Sequence, residues 1–406
     1  MLPEIGQPLL RTSEKPDVLK LSAAQSKELN RALHTGIRRL QSFSSTPVTP
    51  ERIEKEVQRL LFLFSRDVLE DAFPETWLRP LPAPPVYHFR ELKQVGWLGV
   101  GGFAKVELHF HKASGKTYAV KTLSKIYAEK TGMMKSLQLE RLVLDVVKSP
   151  FVVNFYGSYN LERTVCFLLE PFLGGELYSK YRANEDWYGD AAKAKYYTAS
   201  IAMGLRHVHA HHVILRGVKP EDCVLDSYGH LKMVDMGLGC FIIGKTYTTC
   251  GTPDYFPPEV IQASGQYFPS DWWCLGVMLF ELLSEHSPFE SAYPMQIYSK
   301  VIKGIDQIPF PESIPANAKE FISNLLKPCA EERLPIQTDG WEKLKACAWY
   351  ADFDWIGLEN QTLVPPYVPT VSGPTDLSNI SVAEKDRHMP GEDSRDLPGE
   401  GWEGEF

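Results

Sequence analysis

The chain has 406 residues, 44% of them hydrophobic and 23% charged, which is the balance of a folded protein with two or three domains. Its 51 acidic residues outnumber the 43 basic ones and leave a net charge of −8, so neither nucleic acid nor anionic lipid is expected as a partner. No apolar run approaches the ~20 residues of a membrane span. The 7 cysteines are odd in number and lack a C-x-x-C pair, which predicts free thiols in a reducing, cytoplasmic compartment.

Residues 1–86 differ in composition from the rest of the chain and contain two helical patterns. The second pattern follows Thr49 and Pro50, an N-cap and a first helical residue, and places its apolar residues on one face. This face either packs on the neighbouring domain or binds a partner protein. The proline run at 80–85 excludes a helix interior and indicates a stiff linker. We therefore predict a helical appendage and linker over 1–86, able to contact a protein partner.

Two regions of different periodicity follow, and then a tail. Residues 87–170 contain short β-rich runs broken by glycine and one helical segment, whereas helical periodicity dominates 171–350. A small sheet lobe and a larger helical lobe would enclose a cleft, which is a natural ligand site. Residues 351–406 become rich in proline and then in acidic residues, as in a tail that wraps around a domain or extends from it. The expected fold class is α+β.

The sequence G-V-G-G at 99–102 lies between two β-like runs. Gly99, Gly101 and Gly102 have no side chains, so backbone N–H groups there can approach phosphate oxygens closely. A hairpin turn would need the same glycines. The motif alone therefore leaves a phosphate site and a plain turn open.

Further motifs follow this loop in a specific order. Lys121 ends an apolar strand and Glu140 lies on the next helix, so an ammonium oriented by a carboxylate could hold phosphates there. An ion pair that only braces the small lobe would use the same two residues. The segments L-R-G-V-K-P-E-D at 215–222, D-M-G at 235–237 and P-P-E at 257–259 complete the order.

This order and spacing resemble the protein kinases, from about residue 89 to the end of the chain. The segments T-C-G-T-P-D-Y at 249–255 and D-W-W at 271–273 are similar to the cyclic-nucleotide-dependent kinases of the AGC group. The ending G-W-E-G-E-F at 401–406 is similar to the cGMP-dependent branch. The resemblance implies a bilobal kinase domain over 87–350, with an N-lobe at 87–170 and a C-lobe at 171–350, followed by an AGC-type tail over 351–406.

The resemblance also implies that ATP and Mg²⁺ bind in the cleft. The residues that match nucleotide-site positions of the family are Gly99, Gly101, Gly102, Val106, Ala119, Lys121, Glu140, Glu170, Phe172 and Glu176. Asp235 matches a metal ligand of the family, and Asp222 stands in place of the metal-binding asparagine, which keeps an oxygen ligand. Leu144, Leu215 and Met236 match a stack of apolar residues inside the domain.

One departure from the family decides the expected chemistry. The catalytic-loop aspartate, which in the family orients the substrate hydroxyl and accepts its proton, falls on Gly217, whereas Lys219 is retained. General-base assistance contributes about 10²–10⁴ in rate. Positioning and charge neutralisation supply the rest of phosphoryl transfer. The resemblance therefore implies a severely impaired activity that need not be zero.

Other matching residues concern partners. Glu176, Glu221 and Glu281 match the positions that receive arginines of a substrate peptide, although glutamates there can also be merely solvated or structural. Thr248 matches the activation-loop phosphothreonine, and Arg216 matches the arginine that pairs with its phosphate. An acidic peptide groove and a phosphorylation switch are thus expected beside a site that lacks its base.

Three functions remain open from the sequence. The favoured one is a pseudokinase, a kinase-fold module that binds Mg-ATP and regulates or holds a protein partner. The second is a weakly active serine/threonine kinase of the cGMP-dependent type that phosphorylates Arg-rich peptides. The third is a structural subunit that uses the fold only as a shape.

Overall fold

A computed structural model of the protein describes residues 87–242 and 244–383. The predicted helical appendage at 1–86 and the end of the predicted tail, residues 384–406, lie outside the described residues. Within the described residues, a β-rich region precedes a mainly helical one along the chain. The predicted α+β fold is confirmed.

The N-lobe is built on a five-stranded antiparallel sheet with the strand order β1-β2-β3-β5-β4. The turn between β1 and β2 is the glycine-rich loop, and two helices, α1 and α2, connect β3 to β4. The strands are β1 (Leu92–Val100), β2 (Ala104–His111), β3 (Lys116–Ser124), β4 (Phe155–Asn160) and β5 (Thr164–Leu169), and the helices are α1 (Lys125–Thr131) and α2 (Met134–Val146).

The register of this sheet places Lys121 in the middle of its inner face. Directly opposed residues of an antiparallel pair share a face. Lys121 opposes Val106 on one side and Phe167 on the other. Its side chain reaches Glu140 of α2, so this face is turned towards α2. The strand pairing thus places the Lys121 ammonium on the face that α2 covers.

The outer face of the same sheet has a smaller core of its own. Five residues form it, and Tyr87 and Phe89 from the start of the described chain pack against it. The five are Leu92, Tyr118, Val120, Cys166 and Leu168. The segment before β1 therefore belongs structurally to the N-lobe.

The C-lobe surrounds the almost wholly buried helix α6. Its sequence is apolar on all sides, as expected of a central helix. The C-lobe also contains two small sheets, with the strand orders β6-β8-β9 and β10-β7. The helices are α3 (Leu177–Ala183), α4 (Ala191–Ala210), α5 (Pro258–Ile261), α6 (Pro269–Ser284), α7 (Pro294–Lys303), α8 (Ala316–Leu325), α9 (Gly340–Ala346) and α10 (Trp355–Glu359), and the strands are β6 (Gly175–Glu176), β7 (Val213–Ile214), β8 (Cys223–Leu225), β9 (Leu231–Met233) and β10 (Cys240–Phe241).

A buried ion pair fixes α5 within the C-lobe. The Nη1 and Nη2 atoms of Arg333 donate to the carboxylate of Glu259, each over 2.7 Å. Ser270 donates to the same carboxylate over 2.8 Å. The Arg333 side chain is fully buried, and its planar fork satisfies the bidentate geometry that such a pair requires. These contacts hold the segment after the activation loop against α6.

The segment after α10 contacts both lobes. Lys180 of α3 donates to Asn379 over 2.9 Å, which attaches the tail to the C-lobe. Leu377 occupies the space beside Gly96 of β1, since a Cβ at residue 96 would lie 2.4 Å from its Cδ1. The tail therefore spans from one lobe to the other at residues 377–379. In the part of the chain that the structure describes, no helix has the length and hydrophobicity to cross a bilayer.

Candidate active site

Three charged side chains from different elements meet at the inner face of the sheet. Lys121 Nζ of β3 lies 2.5 Å from Glu140 Oε1 of α2 and 3.5 Å from Asp235 Oδ1, which follows β9. The backbone N–H of Gly237 donates to the same Asp235 oxygen over 2.9 Å. The three residues that the sequence singled out in separate motifs are thus brought together.

Burial distinguishes the two carboxylates. The Glu140 side chain is 2% exposed, and burial raises the pKa of this carboxyl even though Lys121 opposes the shift. The Asp235 side chain is 51% exposed, and the Lys121 ammonium lowers its pKa. Burial would lower the pKa of Lys121, but the two carboxylates outweigh it and raise that pKa. The Lys121 ammonium therefore stays charged. It is paired with the buried Glu140 and lies beside the accessible carboxylate of Asp235.

The apolar stack expected beneath this site is buried. Leu144 of α2, Leu215 and Met236 are each at most 4% exposed and belong to one continuous core. Phe155 of β4 is buried in the same core. The chain that carries Asp235 is thereby packed against both lobes.

A second carboxylate lies near Asp235. Asp222 ends the short turn Pro220–Asp222, and its backbone carbonyl accepts from Val234 N over 2.9 Å. Burial, followed by the proximity of Asp235, raises the pKa of Asp222 to about 8, whereas the half-buried Lys219 opposes this shift. Two neighbouring carboxylates, one of which raises the pKa of the other, can together bind a cation. Mg²⁺ in phosphate sites is held by one or two carboxylates together with phosphate oxygens, so these residues fit it.

Gly217 stands in the loop that leads to these carboxylates, between β7 and the turn at Asp222. A Cβ on this residue would meet Leu238 Cδ1 at 3.5 Å and Gly251 Cα at 3.7 Å, which are ordinary contacts. Its backbone does not adopt a positive φ, unlike that of Arg216, whose φ is 67°. Neither the backbone conformation nor the space around the Cβ requires glycine at this position.

The glycine-rich loop has open space beside its backbone. A Cβ at Gly99 or Gly102 would have no atom within 4 Å, while Gly101 N donates across the turn to Ala104 O over 2.8 Å. Phe103 at the tip is half exposed, with its ring 6.0 Å from that of Tyr127 in α1. The open space beside the loop backbone fits a phosphate-bearing group.

The hinge between β5 and β6 contains Glu170 and Phe172. Gly174, two residues later, donates to Leu225 O over 2.9 Å, and a Cβ there would clash with Asp226 O at 2.5 Å. This close approach fixes the hinge against β8. Val106 and Ala119 of the sheet lie in the core on the N-lobe side of the cleft. Ala119 also pairs with Leu169, the residue before Glu170, so the sheet and the hinge adjoin at this point.

The acidic residues expected to form a peptide groove influence one another. Glu221 raises the pKa of both Glu176, which precedes α3, and Glu281 on α6, in each case after burial as the larger cause. The pKa of Glu281 is about 7, and Tyr255 donates a short hydrogen bond to this carboxylate. Asp254 adds to the same negative field. The sequence alone assigns no role to Tyr255 or Asp254, although both lie in the T-P-D-Y motif.

The structure does not bring Arg216 to Thr248. The Arg216 Nε donates to Leu238 O over 2.7 Å, and its backbone N–H donates to the buried Asp271 over 2.8 Å. Thr248 is exposed, and its carbonyl accepts from Gln266 over 2.7 Å. Among the described contacts, the switch expected from the sequence is therefore not assembled between these two side chains.

Comparison with known proteins agrees with this geometry. The protein kinase domain family matches residues 92–343. The cGMP-dependent protein kinase, isozyme 1, of Drosophila melanogaster is 34% identical over 326 residues, which cover 79% of this chain and 42% of that protein. The human cAMP-dependent protein kinase catalytic subunit PRKX is 33% identical over 299 residues, or 74% of this chain and 82% of that protein.

A third relative, the cAMP-dependent protein kinase catalytic subunit of Dictyostelium discoideum, is 32% identical over 307 residues, which cover 76% of this chain and 47% of that protein. The chain therefore spans about two fifths to half of the length of several relatives and most of the length of one. The match over 92–343 coincides with the two lobes and contains every residue of the site described above. The chain belongs to the protein kinase family, with cGMP- and cAMP-dependent kinases among its relatives.

Proposed function

We propose that this protein is a catalytically impaired kinase that binds Mg-ATP and acts as a regulatory or scaffolding module for a protein partner. The observation that carries the proposal is the contrast between the complete Lys121, Glu140 and Asp235 group and the glycine at 217. Nucleotide binding needs the first, whereas proton removal from a substrate hydroxyl needs a carboxylate at the second.

The nucleotide part of the proposal rests on charge and space. Lys121 would hold phosphate oxygens, with Glu140 fixing the ammonium. Asp235 and Asp222 would hold Mg²⁺, which neutralises charge on the phosphates when bound. The loop at 99–102 leaves space for those phosphates. The hinge backbone at Glu170 and Phe172 would receive the base.

The partner part of the proposal rests on the acidic groove. Glu221 raises the pKa of both Glu176 and Glu281, so an arginine-bearing segment would relieve this repulsion. All seven cysteines are free thiols, which supports the proposed reducing, cytoplasmic compartment. We place the contacts with protein partners in this groove and on the appendage at 1–86.

A second candidate function is a weakly active serine/threonine kinase that acts on Arg-rich peptides. It is favoured by the same acidic groove and by the fact that metal, lysine and substrate positioning supply most of phosphoryl transfer. A purely structural role for the fold is the third possibility, and the nucleotide measurement separates it from the other two.

The test is calorimetric titration of the full chain with Mg-ATP, beside Lys121→Ala and a control, Lys193→Ala. Lys193 also forms an ion pair, with Asp190 at the start of α4, and is therefore a matched loss of a lysine. We expect binding in the wild type and in the control, and at least a roughly tenfold loss in Lys121→Ala, equivalent to about 1.4 kcal/mol. A wild type that binds no Mg-ATP at millimolar concentration would leave only the structural role.

A further inference from the structure

A lysine of the C-lobe contacts two residues of the hinge. Lys232 Nζ, on β9, donates to Glu170 Oε2 over 2.6 Å and lies 5.8 Å from the centroid of the Phe172 ring. Its side chain is 9% exposed. A buried ammonium requires a compensating partner, because desolvation of an unpaired charge is costly. Glu170 is that partner.

The same Glu170 oxygen also accepts a hydrogen bond from the N-lobe. Asn154, just before β4, donates from Nδ2 to Glu170 Oε2 over 2.7 Å. The Glu170 backbone N–H donates in return to Asn154 O over 2.9 Å. The hinge glutamate is thus clamped between Asn154 on the N-lobe side and Lys232 on the C-lobe side. Hydrogen bonds of this charge-assisted kind are shorter and stronger than neutral ones.

The strand that carries Lys232 is itself firmly placed. Lys232 opposes Val224 of β8, and its neighbour Met233 exchanges backbone hydrogen bonds with Phe151 and Val153, each over 2.9 Å. The ammonium therefore projects from a rigid element. Among the described hydrogen bonds, the Phe172 N–H has no acceptor, so the hinge amide is held in place by its neighbours while it stays available to a ligand.

We propose that Lys232 is a positioning residue that holds the hinge backbone, through Glu170 and the Phe172 ring, in the orientation that receives an adenine base. This inference rests on the proposed nucleotide function and assigns a residue to its base-recognition half. The described contacts of Lys232 are with Glu170 and Phe172, not with Lys121, Asp222 or Asp235, the residues proposed to hold phosphates and metal. Its removal should therefore weaken contacts to the base and leave contacts to the phosphates intact.

The experiment compares adenosine and Mg-ATP on three variants of the full chain. In Lys232→Met we expect the affinities for both ligands to fall by the same factor, about three- to tenfold, because adenosine depends on the hinge alone. In Lys121→Ala we expect Mg-ATP to weaken while adenosine binds as in the wild type. Lys232→Arg should restore most of the adenosine affinity, since a guanidinium can still reach the carboxylate and the ring.

Hydrogen exchange of the unliganded protein supplies a reading that needs no nucleotide. Lys232→Met should speed exchange at residues 172–176, and the control Lys193→Met, which loses contacts to the Asp190 carboxylate and the Trp187 ring, should not. A Lys232→Met protein with unchanged hinge exchange, or with faster exchange but wild-type adenosine affinity, would overturn the inference. A wild type that binds neither ligand would overturn the proposed function instead, and hinge exchange would still decide whether Lys232 holds the hinge.

Discussion

Gly217 and Leu238 face each other with room for a β-carbon between them. A Cβ on Gly217 would lie 3.5 Å from Leu238 Cδ1, outside the range of a steric clash. A substitution that adds a Cβ at residue 217 therefore meets no clash at its first atom.

The dependence of ATP affinity on Mg²⁺ should require Asp235. In Asp235→Asn the amide oxygen can still accept from Gly237, but the negative charge that faces Lys121 and the proposed cation is lost. We expect ATP affinity to become independent of Mg²⁺, whereas the wild type should bind Mg-ATP more tightly than metal-free ATP. Titrations with Mg²⁺ and with EDTA measure this, and adenosine affinity serves as the control. Equal affinities in the wild type with and without metal would refute the assignment of Asp235 as a ligand.

Peptide binding should depend on pH through Glu281. Its pKa of about 7 means that the carboxyl is largely protonated at pH 6 and largely ionised at pH 8. An arginine stays charged throughout, so its attraction to Glu281 is present above the pKa and is lost as the pH falls. We expect affinity for a histidine-free, Arg-rich peptide to rise up to about tenfold from pH 6 to pH 8. Fluorescence anisotropy should show a flatter profile in Glu281→Gln, and identical profiles would contradict this role.

The buried pair of Arg333 and Glu259 should dominate stability in the C-lobe. Arg333→Met leaves the Glu259 carboxylate buried with only Ser270 as a donor from the bonds described here, and we expect a loss of about 3–5 kcal/mol in the free energy of unfolding. The double variant Arg333→Met/Glu259→Gln, which buries no charge, should lose less. Urea denaturation followed by far-UV circular dichroism measures both. A double variant as unstable as the single one would show that shape and not charge is decisive there.

The sequence predicted the overall architecture because its signals are local. The glycine loop, the apolar strand that contains Lys121 and the apolar run inside α6 each indicate their element without knowledge of the rest of the chain. The predicted end of that strand is too early, since β3 continues beyond Lys121 to Ser124. The order of the motifs then indicated the family. Both the α+β fold and the kinase relationship are confirmed.

The hinge contact of Lys232 could not be predicted in the same way. Lys232 and Glu170 are 62 residues apart, and their meeting depends on how β9 lies against the segment before β4. The only signal in the sequence is a lysine between two apolar residues in a short strand, which is typical of many exposed strands. The contacts of Arg216 likewise depend on packing, since its backbone N–H donates to Asp271 and its Nε donates to Leu238 O.

We propose that the site retains its nucleotide-binding residues and lacks the general base. The most direct test is the rate of phosphate transfer from Mg-ATP to an Arg-rich serine peptide by the wild type and by Gly217→Asp. Gly217→Asn, which adds a similar side chain without a base, serves as the matched control. We expect Gly217→Asp to transfer phosphate about 10²- to 10⁴-fold faster than the wild type at similar Mg-ATP affinity, with Gly217→Asn close to the wild type. A wild type already as fast as Gly217→Asp would contradict the account.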